Sequence, residues 1–361
     1  MAFSQLVDET LEAAVLPSFS RIGYAVRRRL FDWERPGPSV LAGRTVLLTG
    51  PTSGLGRAAV DAFAALGARV VLVGRSAQRL GSVRDELVAV HGEDRFPIVV
   101  ADLAQLASVR AAVDTVLATE GRLDVLVDNA GAIVAERTET PDGIEATLAT
   151  LAVGPFALVG GLLPLLRRTA GSRVIAVTSG GMYTQGLRLD DLEWRTEPYH
   201  GVRAYARAKR VQVALMREWA RRLAPWGVTV MAMHPGWADT PGVSASLPGF
   251  ARLMRPILRT PAEGADTIVW LATAPSREVA TGRLYLDRRP RLFDRLPSTR
   301  LSPADRQLLW ARVVALSGLA DPVPDPDPDP RPRPPTPTPD PSTVIAHEAV
   351  DHPNRTLRRT R

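Results

Sequence analysis

From Arg44 onward, short uninterrupted apolar runs alternate with longer stretches in which apolar residues return every three or four positions. The runs cover residues 45–49, 69–73, 97–100 and 123–127, with three more at 173–177, 228–233 and 283–286. Helical patterns over 58–66, over 80–91 and up to Leu117 separate the first four. Strands that are apolar on both faces belong inside a sheet covered on both sides, and strand–helix–strand crossovers wind with one hand. The pattern predicts an α/β fold, a doubly wound parallel sheet with helices on both faces, in a single domain over residues 41–300.

Both flanks read differently. Residues 1–40 form an N-terminal amphipathic helical extension, in which Phe19, Ile22, Val26, Leu30 and Trp33 recur at helical steps within residues 18–33. Arg21, Arg27, Arg28 and Arg29 add positive charge there. Two readings stay open, a helix packed on its own domain and a basic amphipathic helix in peripheral contact with a membrane. Pro36-Gly37-Pro38 ends it. Ser302-Pro303-Ala304-Asp305 supplies an N-cap and a first-turn proline for a C-terminal helix within 301–320. From Asp321 the chain turns to Asp-Pro, Arg-Pro and Thr-Pro repeats, which predicts a Pro-rich disordered tail over 321–361.

Composition narrows the chemistry. With 361 residues, 45% of them hydrophobic, the chain holds one large α/β domain and its extensions. The absence of cysteine excludes disulfides, thiolate metal sites and a cysteine nucleophile, and favours a reducing compartment. No run approaches the roughly 18 apolar residues of a membrane span, and residues 1–12 are acidic, unlike a secretory leader. The expected location is cytoplasmic, with membrane association open. The net charge is +7 and all basic residues but one are arginine, scattered among acids. That scatter argues against nucleic acid and leaves a cofactor phosphate as the expected anion. Five histidines lie far apart without ligand spacing, so no metal site is expected.

The candidate chemistry sits at the strand ends. The first strand runs into Thr49-Gly50-Pro51-Thr52-Ser53-Gly54-Leu55-Gly56, and a helix follows. Glycines there let the backbone approach a pyrophosphate while the helix aims free amides at it. The second strand ends in Gly74-Arg75-Ser76. An arginine where a ribose reader would be acidic favours a 2′-phosphate, hence NADP(H), with NAD(H) open. The third strand ends in Asp102-Leu103 and the fourth in Asn129-Ala130-Gly131, Asn129 being one of only two asparagines. Ser179 follows the fifth, placed to bond a developing oxyanion.

The sharpest signal is Tyr205-Ala206-Arg207-Ala208-Lys209. A step of four puts phenol and ammonium one helical turn apart, and an ammonium nearby is expected to lower the phenol's pKa into usable range. Lys209 is the only lysine in the chain, so its landing here by chance is a one-in-45 event among the basic positions.

Together, the glycine loop, Asp102, Asn129-Ala130-Gly131, Ser179 and Tyr205/Lys209 resemble the short-chain dehydrogenase/reductase family over about residues 40–300. A finer likeness to one branch rests on Ser179-Gly180-Gly181-Met182, the stretch 233–243, Leu247-Pro248-Gly249-Phe250 and Gly264-Ala265-Asp266-Thr267. The resemblance implies a Rossmann-type fold and hydride transfer between a nicotinamide and a carbonyl or alcohol carbon. It implies Tyr205 as proton donor and acceptor, Lys209 on the nicotinamide ribose and Ser179 on the substrate oxygen. It places Gly50, Thr52, Ser53, Gly54, Leu55 and Gly56 by the phosphates and Arg75 on the 2′-phosphate. Asp102, Leu103, Asn129, Ala130 and Gly131 then border the adenosine side, and Pro235, Gly236, Trp237 and Thr240 the nicotinamide. Dimers or tetramers are common in the family, and a homo-oligomer is open here.

One position departs. Where the family usually carries an asparagine that holds a relay water, spacing places Leu151, which has no polar side-chain atom. Thr150 is adjacent but one register off. A cofactor-binding sensor or scaffold with weak or lost activity is the alternative reading. The segment 237–260 carries Trp237, Val243, Leu247, Phe250, Leu253, Met254, Ile257 and Leu258, which fits a lipophilic, lipid- or steroid-like alcohol or ketone as substrate and equally the core contacts of two short helices.

Overall fold

Each of the seven apolar runs forms a strand. In a computed structural model, which describes residues 3–246 and 248–324, they are β1 (Thr45–Thr49), β2 (Arg69–Gly74), β3 (Ile98–Val100), β4 (Val125–Asp128), β5 (Arg173–Val177), β6 (Thr229–Met233) and β7 (Leu284–Leu286). The sheet order is β3-β2-β1-β4-β5-β6-β7-β8, parallel except for its last pair. Side-chain alternation builds two cores. Val46 and Leu48 of β1 join Val70, Val125 and Ile175 on one face, while Leu47 joins Val71, Leu126 and Val174 on the other.

The added strand β8 (Arg289–Arg291) was not expected from the pattern. It returns antiparallel on β7 through Asp287 and Arg288, both in the left-handed region at φ 54° and 58°. Such a turn usually announces itself as Asn-Gly or Asp-Gly; here two bulky charged residues make it. Pro290 fits because β8 is an edge strand.

The N-terminal extension is three helices, Phe3–Ala13, Val15–Phe19 and Arg21–Leu30. The face of the third that is buried is Gly23, Tyr24 and Arg27, whereas Ile22 of the expected apolar stripe is 46% exposed. Arg27 overrides the stripe because its guanidinium is fully buried among carboxylates: it donates to Asp8 (2.6 Å), Asp287 (2.8 Å) and Glu12 (3.1 Å). Arg259 reaches the same Asp287 at 2.5 and 2.9 Å and donates to the backbone carbonyls of Ser18 and Ser20. Helices 21–30 and 3–13 are thereby tied to the β7–β8 turn. Among the described residues no helix is long and apolar enough to cross a membrane.

The C-terminal helix, Pro303–Ser317, starts on the expected cap, a reciprocal pair of Ser302 and Asp305. It docks through Trp310, whose ring meets Phe156 and Trp219 with centroids 4.9 and 4.7 Å apart. Residues 321–324, where the tail was expected to begin, are packed against it. Asp321 accepts from Trp310 Nε1 (3.1 Å), and Val323 is buried with its carbonyl accepting from Arg222 at 2.5 Å. The remainder of the expected tail, 325–361, lies outside the described residues.

Candidate active site

The carboxyl ends of β1, β2, β4, β5 and β6 converge on one edge, where open α/β sheets bind their ligands. At β1, Gly50 turns the chain at φ 72°, and the helix Gly54–Ala65 begins four residues on. A Cβ on Gly56 would overlap the Gly50 carbonyl and stand 2.6 Å from Asn129 Nδ2. Only glycine allows this closeness of loop and helix. Ser53 is the N-cap, yet its side chain does not cap, so the first amides of a twelve-residue helix keep their donors for a ligand. Thr52, Ser53, Gly54 and Leu55 are all at least partly exposed around them. This cradle fits a pyrophosphate: narrow, donor-rich and at the positive end of the helix.

Asn129 acts within the frame. Its Nδ2 donates to the carbonyls of Thr49 (2.9 Å) and Gly50 (3.2 Å). Its backbone N–H and that of Ala130 both donate to Thr49 Oγ1 at 2.9 Å. The scarce asparagine thus locks the glycine loop to β4. Asp102 closes its own turn, accepting from the Ala104 N–H at 2.9 Å, while Leu103 is buried. Gly131 is exposed at the edge. Arg75 is exposed at the end of β2 and has no partner among the described residues, and Arg79, also exposed, lies one turn into the next helix.

Tyr205, Lys209 and Ser179 come together. The helix Gly201–Leu223 presents Tyr205 part-exposed and Lys209 buried, with Nζ 6.0 Å from the phenol ring centroid. Ser179 caps the short turn Gly180–Thr184, accepting from Gly181 N–H at 3.2 Å, with its hydroxyl near enough to Tyr205 to favour the phenolate. The expected lowering of the phenol is corrected here. Burial raises its pKa above 10.0, and only the Ser179 hydrogen bond opposes that rise. The reason is directional: the Lys209 ammonium points to the Val177 carbonyl (2.8 Å) and Gln212 Oε1 (3.2 Å), not to the phenol. Lys209 itself is lowered to about 8 by burial, against the pull of Asp128.

Leu151 is fully buried in a π-helical turn, Ala149–Val153, with Cδ2 3.2 Å from where a Cβ on Gly131 would stand. Thr150 does not replace it, because its hydroxyl donates to Ala146 O (2.8 Å) within its own helix.

Of the residues expected at the nicotinamide, Thr240 lies against Gly54, 3.2 Å from its notional Cβ. Gly236, at φ 69°, is instead closed upon by the Phe19 carbonyl and the Arg259 guanidinium, and Trp237 N–H donates to that carbonyl at 2.7 Å. Pro235 packs towards Gly264. Phe19 also lies over His234 and beside Gly180, so the N-terminal extension forms the back wall of this edge. Periodicity could not reveal that contact. Within 237–260, Met254 and Leu258 are buried, Phe250 meets Trp237 edge-on at 5.4 Å, and Leu253 is 79% exposed. The side chains of Val243 and Leu247 lie outside the described ones. Among the described residues no cluster suits a metal ion.

The model of the short chain dehydrogenase family matches residues 44–248. The chain is 38% identical to dehydrogenase/reductase SDR family member 12 of Bos taurus over 270 residues, 74% of this chain and 84% of that protein. It is 36% identical to retinol dehydrogenase 14 of Mus musculus, over 69% of this chain and 80% of the other. L-sorbose reductase of Gluconobacter frateurii, solved with NADPH and L-sorbose, shares the fold with a TM-score of 0.56 at 23% identity, over 68% of this chain and 95% of that one. With motif order, sheet and sequence in agreement, this chain belongs to the short-chain dehydrogenase/reductase family of oxidoreductases and carries its nicotinamide-nucleotide-binding fold.

Proposed function

We propose that the protein is an NADP(H)-preferring oxidoreductase that interconverts a carbonyl and an alcohol on a lipophilic substrate, with Tyr205 as acid and base. The observation that carries this is the Tyr205 phenol beside Ser179, one helical turn from the sole lysine. When bound, the nicotinamide supplies or takes the hydride. In reduction the Tyr205 phenol donates its proton to the substrate oxygen, and Ser179 donates a hydrogen bond to the same atom. A phenol held neutral by burial suits the donor's role. The uncapped amides at the start of the helix Gly54–Ala65 would hold the phosphates, and Arg75, exposed and without a partner among the described residues, would meet the 2′-phosphate. The lipophilic reading draws on the edge-on pair of Trp237 and Phe250 in the segment after β6, and on a relative named for retinol. The match to a family of oxidoreductases favours an enzyme over a scaffold, although Leu151 leaves the relay-water position without a polar group.

Calorimetric titration of NADPH and NADH tests the cofactor. Arg75→Ala is expected to weaken NADPH about 10- to 100-fold, the worth of one charged hydrogen bond to phosphate, and to leave NADH unchanged. Equal weakening of both would remove Arg75 as the reader, and binding of neither would remove the proposal. A panel of ketones tests the substrate class, and a preference for small polar carbonyls would overturn the lipophilic assignment.

Membrane contact through residues 18–33 is proposed in a narrower form. Ile22 faces outward at 46% exposure on the same helix as exposed Arg28 and Arg29. Arg28→Glu/Arg29→Glu is expected to abolish flotation with anionic liposomes, and flotation equal to wild type would sink that contact.

A further inference from the structure

Lys209 has a neighbour that the Tyr-x-x-x-Lys spacing does not predict. Gln212, one turn on along the same helix, accepts from Lys209 Nζ through Oε1 (3.2 Å) and donates through Nε2 to Asp128 Oδ2 (2.6 Å). All three side chains are buried. The other Asp128 oxygen, Oδ1, has no hydrogen-bond partner among the described residues. An amide placed this way has one orientation only, oxygen to the ammonium and nitrogen to the carboxylate. With Val177 O occupying a second N–H, the third N–H of Lys209 is left for the side where Gly131 opens the wall, 3.7 Å from its notional Cβ to Nζ. Across that opening Leu151 offers only carbon.

We propose that Gln212 and Asp128 are positioning residues for Lys209, a buried carboxylate–amide–ammonium chain that keeps the only lysine protonated and aims its free N–H at the cofactor-binding edge. Burial alone would strip the proton from an ammonium. The charged side chain acting on Lys209 is Asp128, from β4; Tyr205 on its own helix is neutral, and the Val177 and Leu151 sides bring no charge. Asp128 is raised to about 6 by burial and is therefore ionised where Lys209, at about 8, holds its proton. The pair coexists as opposite charges between those two values.

This inference rests on the assignment of Lys209 to the active site, but its test needs no substrate. Because the chain has one lysine, incorporation of 13C-labelled lysine gives a single Cε resonance, and its shift against pH reads the Lys209 pKa in the unliganded protein. Wild type is expected to titrate near 8. Asp128→Asn, isosteric and uncharged, is expected to move the midpoint down by about one pH unit. Gln212→Met, which removes the bridge and keeps its volume, is expected to move it down as well. A variant that unfolds is recognised at once, because its lysine moves up towards 10.5; the remaining variant then carries the test. NADPH titration adds a second readout, with binding weakened in both variants at pH 8 and restored towards wild type at pH 6.5. A folded Asp128→Asn or Gln212→Met whose lysine titrates with wild type overturns the proposal. Loss of turnover with an unmoved lysine midpoint does so too, since that is what a purely structural role would give.

Discussion

Tyr205→Phe is expected to lower turnover about 100- to 10,000-fold, the usual worth of a positioned general acid, while NADPH binds within about twofold of wild type. The substitution removes one oxygen. Its neighbours stay, because Lys209 is held by Val177 and Gln212 and not by the phenol. Retained binding with lost chemistry is the expected signature, read by calorimetry and by single-turnover oxidation of NADPH. The direction of the phenol's shift fixes the pH behaviour. Burial holds Tyr205 above 10.0, so reduction, which needs the phenol, is not limited by its ionisation at neutral pH. Oxidation, which needs the phenolate, is expected to rise with pH. Reduction is expected to fall above about 8, where Lys209 loses its proton. A Tyr205→Phe protein that turns over within tenfold of wild type would dismiss the phenol as acid.

The contrast between that site and its surroundings follows from which interactions leave a local trace. Seven strands were legible because each is a continuous apolar run between helical patterns. The glycine loop was legible because strand, turn and helix occur in immediate succession at Gly50–Gly56. Tyr205 and Lys209 were legible because helical spacing converts a step of four into adjacency. Partners brought together by topology left no such mark. Gln212 lies on the face of Lys209, at a step of three, but Asp128 arrives from β4, 84 residues away. Phe19 reaches Gly180 and Gly236 from the far end of the chain. The N-terminal stripe misled for a related reason: hydrophobic periodicity assumes that apolar residues face inward, and at Arg27 a set of distant carboxylates reversed the preference. The phenol's pKa misled because adjacency in a helix does not say where an ammonium points.

Asp287→Asn is expected to cost about 3–5 kcal/mol, the penalty for stranding buried charges when one partner is removed. Two guanidiniums depend on that carboxylate. Arg27 and Arg259 are each at most 1% exposed and contact it at 2.8 and 2.5 Å. Asparagine keeps the volume and tolerates the left-handed backbone that Asp287 adopts, so the loss reports charge and not strain. Urea unfolding measures the cost, and hydrogen exchange across residues 3–30 locates it, because the cluster joins those helices to the β7–β8 turn. Acid should reproduce the effect through Asp8. Burial pushes that carboxyl up, but hydrogen bonds and charge from Arg291 and Arg27 outweigh it and hold the group below its ordinary 3.8. A folded-state value below the unfolded one contributes stability above 3.8 that disappears as pH falls through the lower value. Exchange in residues 3–30 is therefore expected to accelerate below pH 3.8 in wild type and at higher pH in Asp287→Asn. As Phe19 leaves with these helices, Gly236 and Trp237 lose their cover and substrate affinity should fall with them. If Asp287→Asn unfolds within about 0.5 kcal/mol of wild type, the scale of an ordinary surface change, the cluster does not hold the N-terminal extension in place.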